Sequence, residues 1–353
     1  MNSNPEITFG TRIRKSPFFE STIKWGCKGF TTYNRMYMPT YYSSFVDDYW
    51  SLVNDVTLWD VAGERQVEIK GKDAERFIEF ITPRDISKCK IGQCMYVLLT
   101  EKNGGIVNDP VLLKLSANHY WLSIADSDVL LWVRAVAMEG GFDVSVLEPD
   151  VSPLAIQGPK AEAVAVELLG DWVLGLKHFW FRETELNGIP IVVARTGWSK
   201  QGGFELYLRD SSKGTALWEK VKEAGIAHGI GPGAPNQIER VESGLLSYGA
   251  DTLPDSDPFE VGLDNLISLY RPDDFIGKEA LLLKARQGPE RKLVGFALDG
   301  APVSPNEQPW PLRVEDGPAG TVRVACYSLR RSENKSFALI DRLDIALGTP
   351  FEV

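Results

Sequence analysis

With 353 residues, 44% of them hydrophobic and 24% charged, the chain has room for two or three domains and the composition of a soluble globular protein. Its 38 basic against 48 acidic residues give a formal charge of −10, so neither nucleic acid nor an anionic membrane surface is expected as a partner. No apolar run approaches the roughly 18 residues of a membrane span.

The start, Met1 to Ile7, lacks the basic-then-apolar pattern of a signal peptide, and cytoplasmic residence is expected. Four cysteines, Cys27, Cys89, Cys94 and Cys326, form no C-x-x-C pair and are expected reduced and packed. Three scattered histidines, His119, His178 and His228, offer no zinc spacing, so no bound metal is expected. The absence of a G-x-S-x-G elbow leaves an esterase nucleophile without support.

In chain order, residues 20–50 are rich in aromatics, with a helix expected near Phe45–Trp50. The loop-like Tyr33-Asn-Arg-Met-Tyr-Met-Pro39 places aromatics where no periodicity demands them. They are either core or a face for a ligand cation, since ring quadrupoles attract cations. Leu58–Ala62 and Gln66–Lys70 read as strands joined by a polar turn at Gly63–Arg65, and residues 73–81 have helical spacing. A hairpin follows, Tyr96–Thr100 and Ile106–Leu115 around Asn103-Gly-Gly105. Its second strand carries Asn108-Asp109 before Pro110, which implies an edge or bulge because proline cannot donate to the ladder. That polar pair is either aimed at a ligand or satisfying local backbone. Tyr120–Ala125 reads as a strand and Val129–Met138 as a helix, which completes an antiparallel α+β unit.

A second pass of the same order runs from Asp150: a strand at 154–157, a helix over 161–169, and strands near 179–183 and 189–195. Gly202-Gly203 then turns the chain into Phe204-Glu-Leu-Tyr-Leu208. Alternation puts Phe204, Leu206 and Leu208 on one face and Glu205 with Tyr207 on the other. On these residues alone Glu205 lies on a solvated edge or on the floor of a polar site. The general exposure of lone carboxylates favours the edge. Helices are expected over 214–224 and 237–248, and short strands among proline-rich turns after residue 291 suggest a small β-barrel or sandwich.

Separated motifs now converge. Leu58-Trp-Asp-Val61, Gly104-Gly-Ile-Val-Asn-Asp109, Ala155-Ile-Gln-Gly-Pro159, Arg195-Thr-Gly-Trp198 with Gly203-Phe-Glu205, and Arg240–Gly249 resemble the folate-dependent aminomethyltransferases, the T-protein family of glycine cleavage. Within it, Glu64-Arg-Gln-Val-Glu-Ile69, Asn108–Leu115, Ser123–Val129, Phe179-Trp-Phe181 and Gly197–Gly203 look most like the branch that demethylates dimethylsulfoniopropionate. The resemblance implies a three-domain cloverleaf, with two α+β antiparallel-sheet units and a C-terminal β-barrel around a central folate channel. It divides the chain into a folate-binding region over 1–285, whose second-domain unit covers roughly 55–140, and a barrel over 286–353.

By the same resemblance the activity is methyl transfer from the sulfonium to N5 of tetrahydrofolate, the acceptor. Glu205 would hold the pterin, because a carboxylate accepts two parallel hydrogen bonds from a ring NH and its neighbouring amine. Trp198, Tyr207, Phe179 and Trp180 are candidates to enclose the pterin or the onium. Tyr33, Tyr96 and Ser123 are candidates for the substrate end, with Arg35 and Lys200 as donors to its carboxylate. Asn108-Asp109 stands where family aminomethyltransferases carry two aspartates, and supplies the catalytic candidates. Met95 and the stretch Val322–Leu329 depart from the family pattern. The partners implied are the sulfonium and folate, with a homodimer left open. The alternatives are another onium or methoxy donor, an aminomethyltransferase, or a non-catalytic folate-binding accessory protein.

Overall fold

The computed structural model describes residues 8–314, 317–344 and 348–353. Two sheets face each other at its centre. The six-stranded sheet runs Phe181–Leu186, Ile189–Ala194, Gly203–Leu208, Ser152–Gln157, Thr57–Asp60 and Gly231–Gly233, with only the last pair parallel. The five-stranded sheet is antiparallel throughout, in the order Ser145–Leu147, Gln66–Lys70, His119–Ser123, Val111–Ser116 and Cys94–Tyr96. The two α+β passes therefore interleave, because Thr57–Asp60 completes the sheet built mainly from the second pass.

Alternation along each strand explains the layering. Phe204, Leu206 and Leu208 project into a core closed by the helices Ala161–Leu169 and Gly214–Gly225. On the other sheet Val67, Ile69, Leu112 and Leu122 pack under Ala74–Ile81 and Val129–Glu139. Each such buried side chain contributes about 1.5–3 kcal/mol. Between the sheets lies a third core in which Tyr207, Val192 and Ala194 meet Trp121, Leu113 and Cys94. The Glu205 strand is thus central and buried on both faces, which removes the solvated-edge alternative.

Several elements differ from the sequence expectation. A hairpin, Gly29–Tyr33 with Met36–Tyr41, closes through Asn34 and Arg35 at φ 48° and 60°, the left-handed pair of a type I′ turn. The expected hairpin over 96–115 splits at Asp109-Pro110: Leu99–Thr100 pairs with Ile106–Asn108, and beyond the proline Val111–Ser116 joins the five-stranded sheet. Asp109 consequently sits at a junction between sheets. The helix expected over 237–248 ends at Ser243, where Gly244 adopts φ 71° and caps it. Residues 278–287, unassigned by pattern, form the helix Lys278–Gln287.

The C-terminal strands Lys292–Leu298, Trp310–Val314, Gly317–Ser328 and Glu333–Ile340 form one antiparallel four-stranded sheet. Among the described residues it does not close on itself into a barrel. It docks through Val324 and Cys326 onto Tyr49, Ile238 and Val241. Among the described residues no helix is long and apolar enough to cross a membrane. All four cysteines are free thiols, and Cys89, Cys94 and Cys326 are buried.

Candidate active site

Glu205 owes its position to the turn before it. Gly202 takes φ 82°, and a Cβ on Gly203 would meet the carbonyl oxygen of Ile156 at 2.2 Å, so only glycine lets the chain enter the strand there. The turn wraps the buried Gln157, whose Oε1 accepts from Ser199 Oγ at 2.7 Å and whose Nε2 donates to the Thr196 carbonyl at 3.4 Å. The carboxyl of Glu205 is then fixed on one oxygen: Oε2 accepts from Thr196 Oγ1 at 2.5 Å and from Tyr207 OH at 3.0 Å. Among the described residues no donor is paired with Oε1.

A second acid lies opposite. Glu64, in the turn between Thr57–Asp60 and Gln66–Lys70, has no hydrogen-bond donor to its carboxyl among the described residues. Burial raises its pKa well above the usual carboxylate range, and the Glu205 charge raises it further. Burial also raises Glu205, against the pull of the Thr196 and Tyr207 hydrogen bonds. The two carboxyls titrate as a pair.

At the sheet junction Asp109 accepts from Tyr96 OH at 2.7 Å. Burial lifts its pKa to about 6, while the Tyr96 hydrogen bond opposes the rise. Tyr33 feels Glu64, Asp109 and Asp126 together, after burial itself, and its pKa stands well above the ordinary phenol range. Its ring packs on Gly63, where a Cβ would come within 3.2 Å of Tyr33 Cβ. Glu64, Tyr33, Tyr96 and Asp109 each keep some accessible surface although burial dominates their titration. The cluster has two carboxyls at one end and an aspartate among tyrosines at the other.

The structure gathers some sequence candidates and disperses others. Glu205, Tyr207, Tyr33, Tyr96 and Asp109 converge, and Ser123 joins them through Tyr207 and through Gln66 Nε2, which donates to it at 2.9 Å. Phe179 packs against the core between the sheets with φ 60°, and Trp180 bridges to Gln93. Trp198 is half-buried in the Gly-rich turn. Asn108 is fully buried, and its amide is committed to Ala125 and Ser127. Arg35 lies on the outer surface, paired with Asp128 at 3.1 Å with both side chains about two-thirds exposed. The Lys200 side chain is exposed, and its backbone N–H donates to Glu239 at 3.0 Å.

Glu64 and Thr196 escape sequence reasoning because both fall in turns, and a turn acid reads as solvated. Each nevertheless lies inside a stretch that resembles the family, Glu64–Ile69 and Arg195–Trp198.

Buried carboxyls and tyrosines held between two interleaved α+β sheets define a class, and the chain belongs to the family whose model, the GCVT N-terminal domain, matches residues 18–271. The chain is similar to a protein of Ruegeria pomeroyi named dimethylsulfoniopropionate demethylase, 42% identical over 97% of this chain and 93% of that one. It is also similar to the aminomethyltransferase of Alkaliphilus oremlandii, 30% identical over 97% of this chain and 94% of the relative. The fold matches the crystal structure of glycine cleavage system aminomethyltransferase T from Bartonella henselae, with a TM-score of 0.85 at 22% identity, covering 96% and 93% of the two chains.

Proposed function

We propose that this protein is a tetrahydrofolate-dependent methyltransferase that demethylates dimethylsulfoniopropionate to 3-methylthiopropionate, with 5-methyltetrahydrofolate as the other product. The likeness that carries this reading is the 42% identity to the demethylase across nearly the whole of both chains. It is supported by a buried cluster in which acids and tyrosines converge. The residues present fit folate: among the described residues Glu205 Oε1 has no donor, and it can accept from the pterin ring NH and amine, in the way a carboxylate takes two parallel donors. Tyr207 and Thr196 hold that carboxyl in place. When bound, tetrahydrofolate supplies N5 as the nucleophile.

The chain's own residues have little proton chemistry to perform. A sulfonium methyl is already activated, because the S–C bond breaks with its electron pair going to sulfur and the thioether leaves neutral. One proton is released overall. The work of the site is to hold donor and acceptor in line, about 3–3.5 Å apart, with water excluded. Asp109, ionised above about pH 6, supplies the charge that draws the cation inward. Tyr33 and Tyr96 offer it ring faces, worth about 0.5–2 kcal/mol each. Trp198, Phe179 and Trp180 wall the pterin side. The folate-binding region is assigned to 1–285 and the C-terminal domain to 286–353, packed as a three-part cloverleaf about a central channel in a cytoplasmic enzyme.

The test is direct: the purified chain is incubated with tetrahydrofolate and dimethylsulfoniopropionate, and both products are quantified. Equimolar 3-methylthiopropionate and 5-methyltetrahydrofolate are expected. Failure of the sulfonium to give either, while another onium or methoxy donor does, would overturn the assignment of donor.

A further inference from the structure

Two asparagines grip one turn from opposite sides. Asn34, 5% exposed and left-handed at φ 48°, follows Tyr33 at the tip of the N-terminal hairpin. Its N–H donates to Asp126 Oδ1 at 2.7 Å, its Nδ2 donates to the carbonyls of Gly63 at 3.0 Å and Ala125 at 3.1 Å, and its Oδ1 accepts from Ser127 N at 3.1 Å. Asn108 precedes Asp109 and reaches the same turn. Its Nδ2 donates to the Ala125 carbonyl at 3.1 Å and to Ser127 Oγ at 2.9 Å, while its Oδ1 accepts from Ala125 N at 3.1 Å. The Ala125 carbonyl thus takes both amides, and Ser127 is held by Asn34 through its N–H and by Asn108 through its hydroxyl.

We infer that Asn34 and Asn108 are positioning residues which, through the 124–127 turn they share, set the Tyr33 ring against the Asp109 carboxylate at the methyl-donor end of the site. The inference rests on the functional reading above. Each asparagine adjoins a group of the site, Tyr33 or Asp109, and each spends both of its amide N–H donors and one bond to its carbonyl oxygen on backbone or on Ser127. The chemistry requires an amide. Aspartate has the acceptor but lacks the donors, and an uncharged donor-and-acceptor of this length is what a buried turn of carbonyls and N–H groups can accommodate. A hairpin tip held only by its own ladder would leave the ring free to drift. A misplacement of about 1 Å in a site that works by alignment lowers rates by about 100-fold.

The decisive variant is Asn34→Gly, since glycine keeps the left-handed turn and removes only the side chain. The kcat/KM for dimethylsulfoniopropionate should fall about 10-fold or more, while the Kd for tetrahydrofolate, measured by calorimetry, changes less than about twofold. In a Tyr33→Ala background the same change should cost less than about twofold in kcat/KM, because its effect runs through the ring. Equal losses in both backgrounds, or a parallel loss of folate affinity, would overturn the inference. Turnover by the unaltered chain tests the functional reading separately. Amide hydrogen exchange at Ser127 needs no donor: protection should fall in both Asn34→Gly and Asn108→Ala, and unchanged protection in either removes the shared turn as the link.

Discussion

At the residue scale the chemistry turns on two carboxyls held differently. Glu205 has one oxygen bound by Thr196 and Tyr207 and, among the described residues, no donor on the other. Glu205→Ala should therefore weaken tetrahydrofolate binding by about 100-fold or more, since hydrogen bonds to a charged group contribute about 1.5–3 kcal/mol each. Calorimetric titration checks this, and unchanged affinity would remove Glu205 from the pterin site. Asp109 sets a pH dependence. Its pKa is raised to about 6, so it is neutral below that pH and ionised above it. If the anion attracts the sulfonium, kcat/KM for the donor falls as pH drops through about 6, in the free-enzyme profile. The Tyr96 hydroxyl favours the ionised form, so Tyr96→Phe should move this acid limb to higher pH. A limb that stays in place would separate Tyr96 from the titrating group.

At the element scale the site depends on how one strand is entered. The Gly203 approach to the Ile156 carbonyl involves backbone on both sides, which cannot swing away as a side-chain tip could. Gly203→Ala should destabilise the protein by about 1–3 kcal/mol, the usual cost of overpacking. It should also weaken folate binding, because Glu205 stands two residues further along; denaturant melts and titration of the same variant check both effects. The sequence shows this turn plainly, since paired glycines after polar residues announce it. It equally shows the alternation that separates Phe204, Leu206 and Leu208 from Glu205 and Tyr207. The end of the helix Gln237–Ser243 is less legible: Gly244 lies within an otherwise helical pattern, and only its left-handed φ of 71° shows that the helix stops at Ser243.

Across the whole molecule, one buried acid helps tie the C-terminal sheet to the residues before it. Glu242, with its side chain 3% exposed, accepts from Tyr49 OH at 2.8 Å, Ser328 Oγ at 2.7 Å and Arg330 Nη2 at 2.6 Å. Its partners come from a helix near the N-terminus and from the C-terminal sheet. Glu242→Gln keeps the shape and removes the charge, and should lower stability by about 1.5–3 kcal/mol in urea melts. Folate affinity should hold within about twofold if the C-terminal sheet acts only as support.

The sequence by itself determined the periodicities, the glycine turn, most element positions and the family motifs, because these are written in neighbouring residues. It could not decide that Glu205 is buried, since whether a strand is an edge or a centre depends on which strands arrive beside it from far along the chain. The tertiary structure decided that Glu64 faces Glu205, and that Asn108 turns to backbone while Asp109 turns to the site. It also decided that Arg35 pairs with Asp128 at the surface and that the Lys200 side chain is exposed. Charge and hydrogen-bonding capacity are properties of a residue, but burial and facing are properties of the packed whole, and the chemistry of this site needs both.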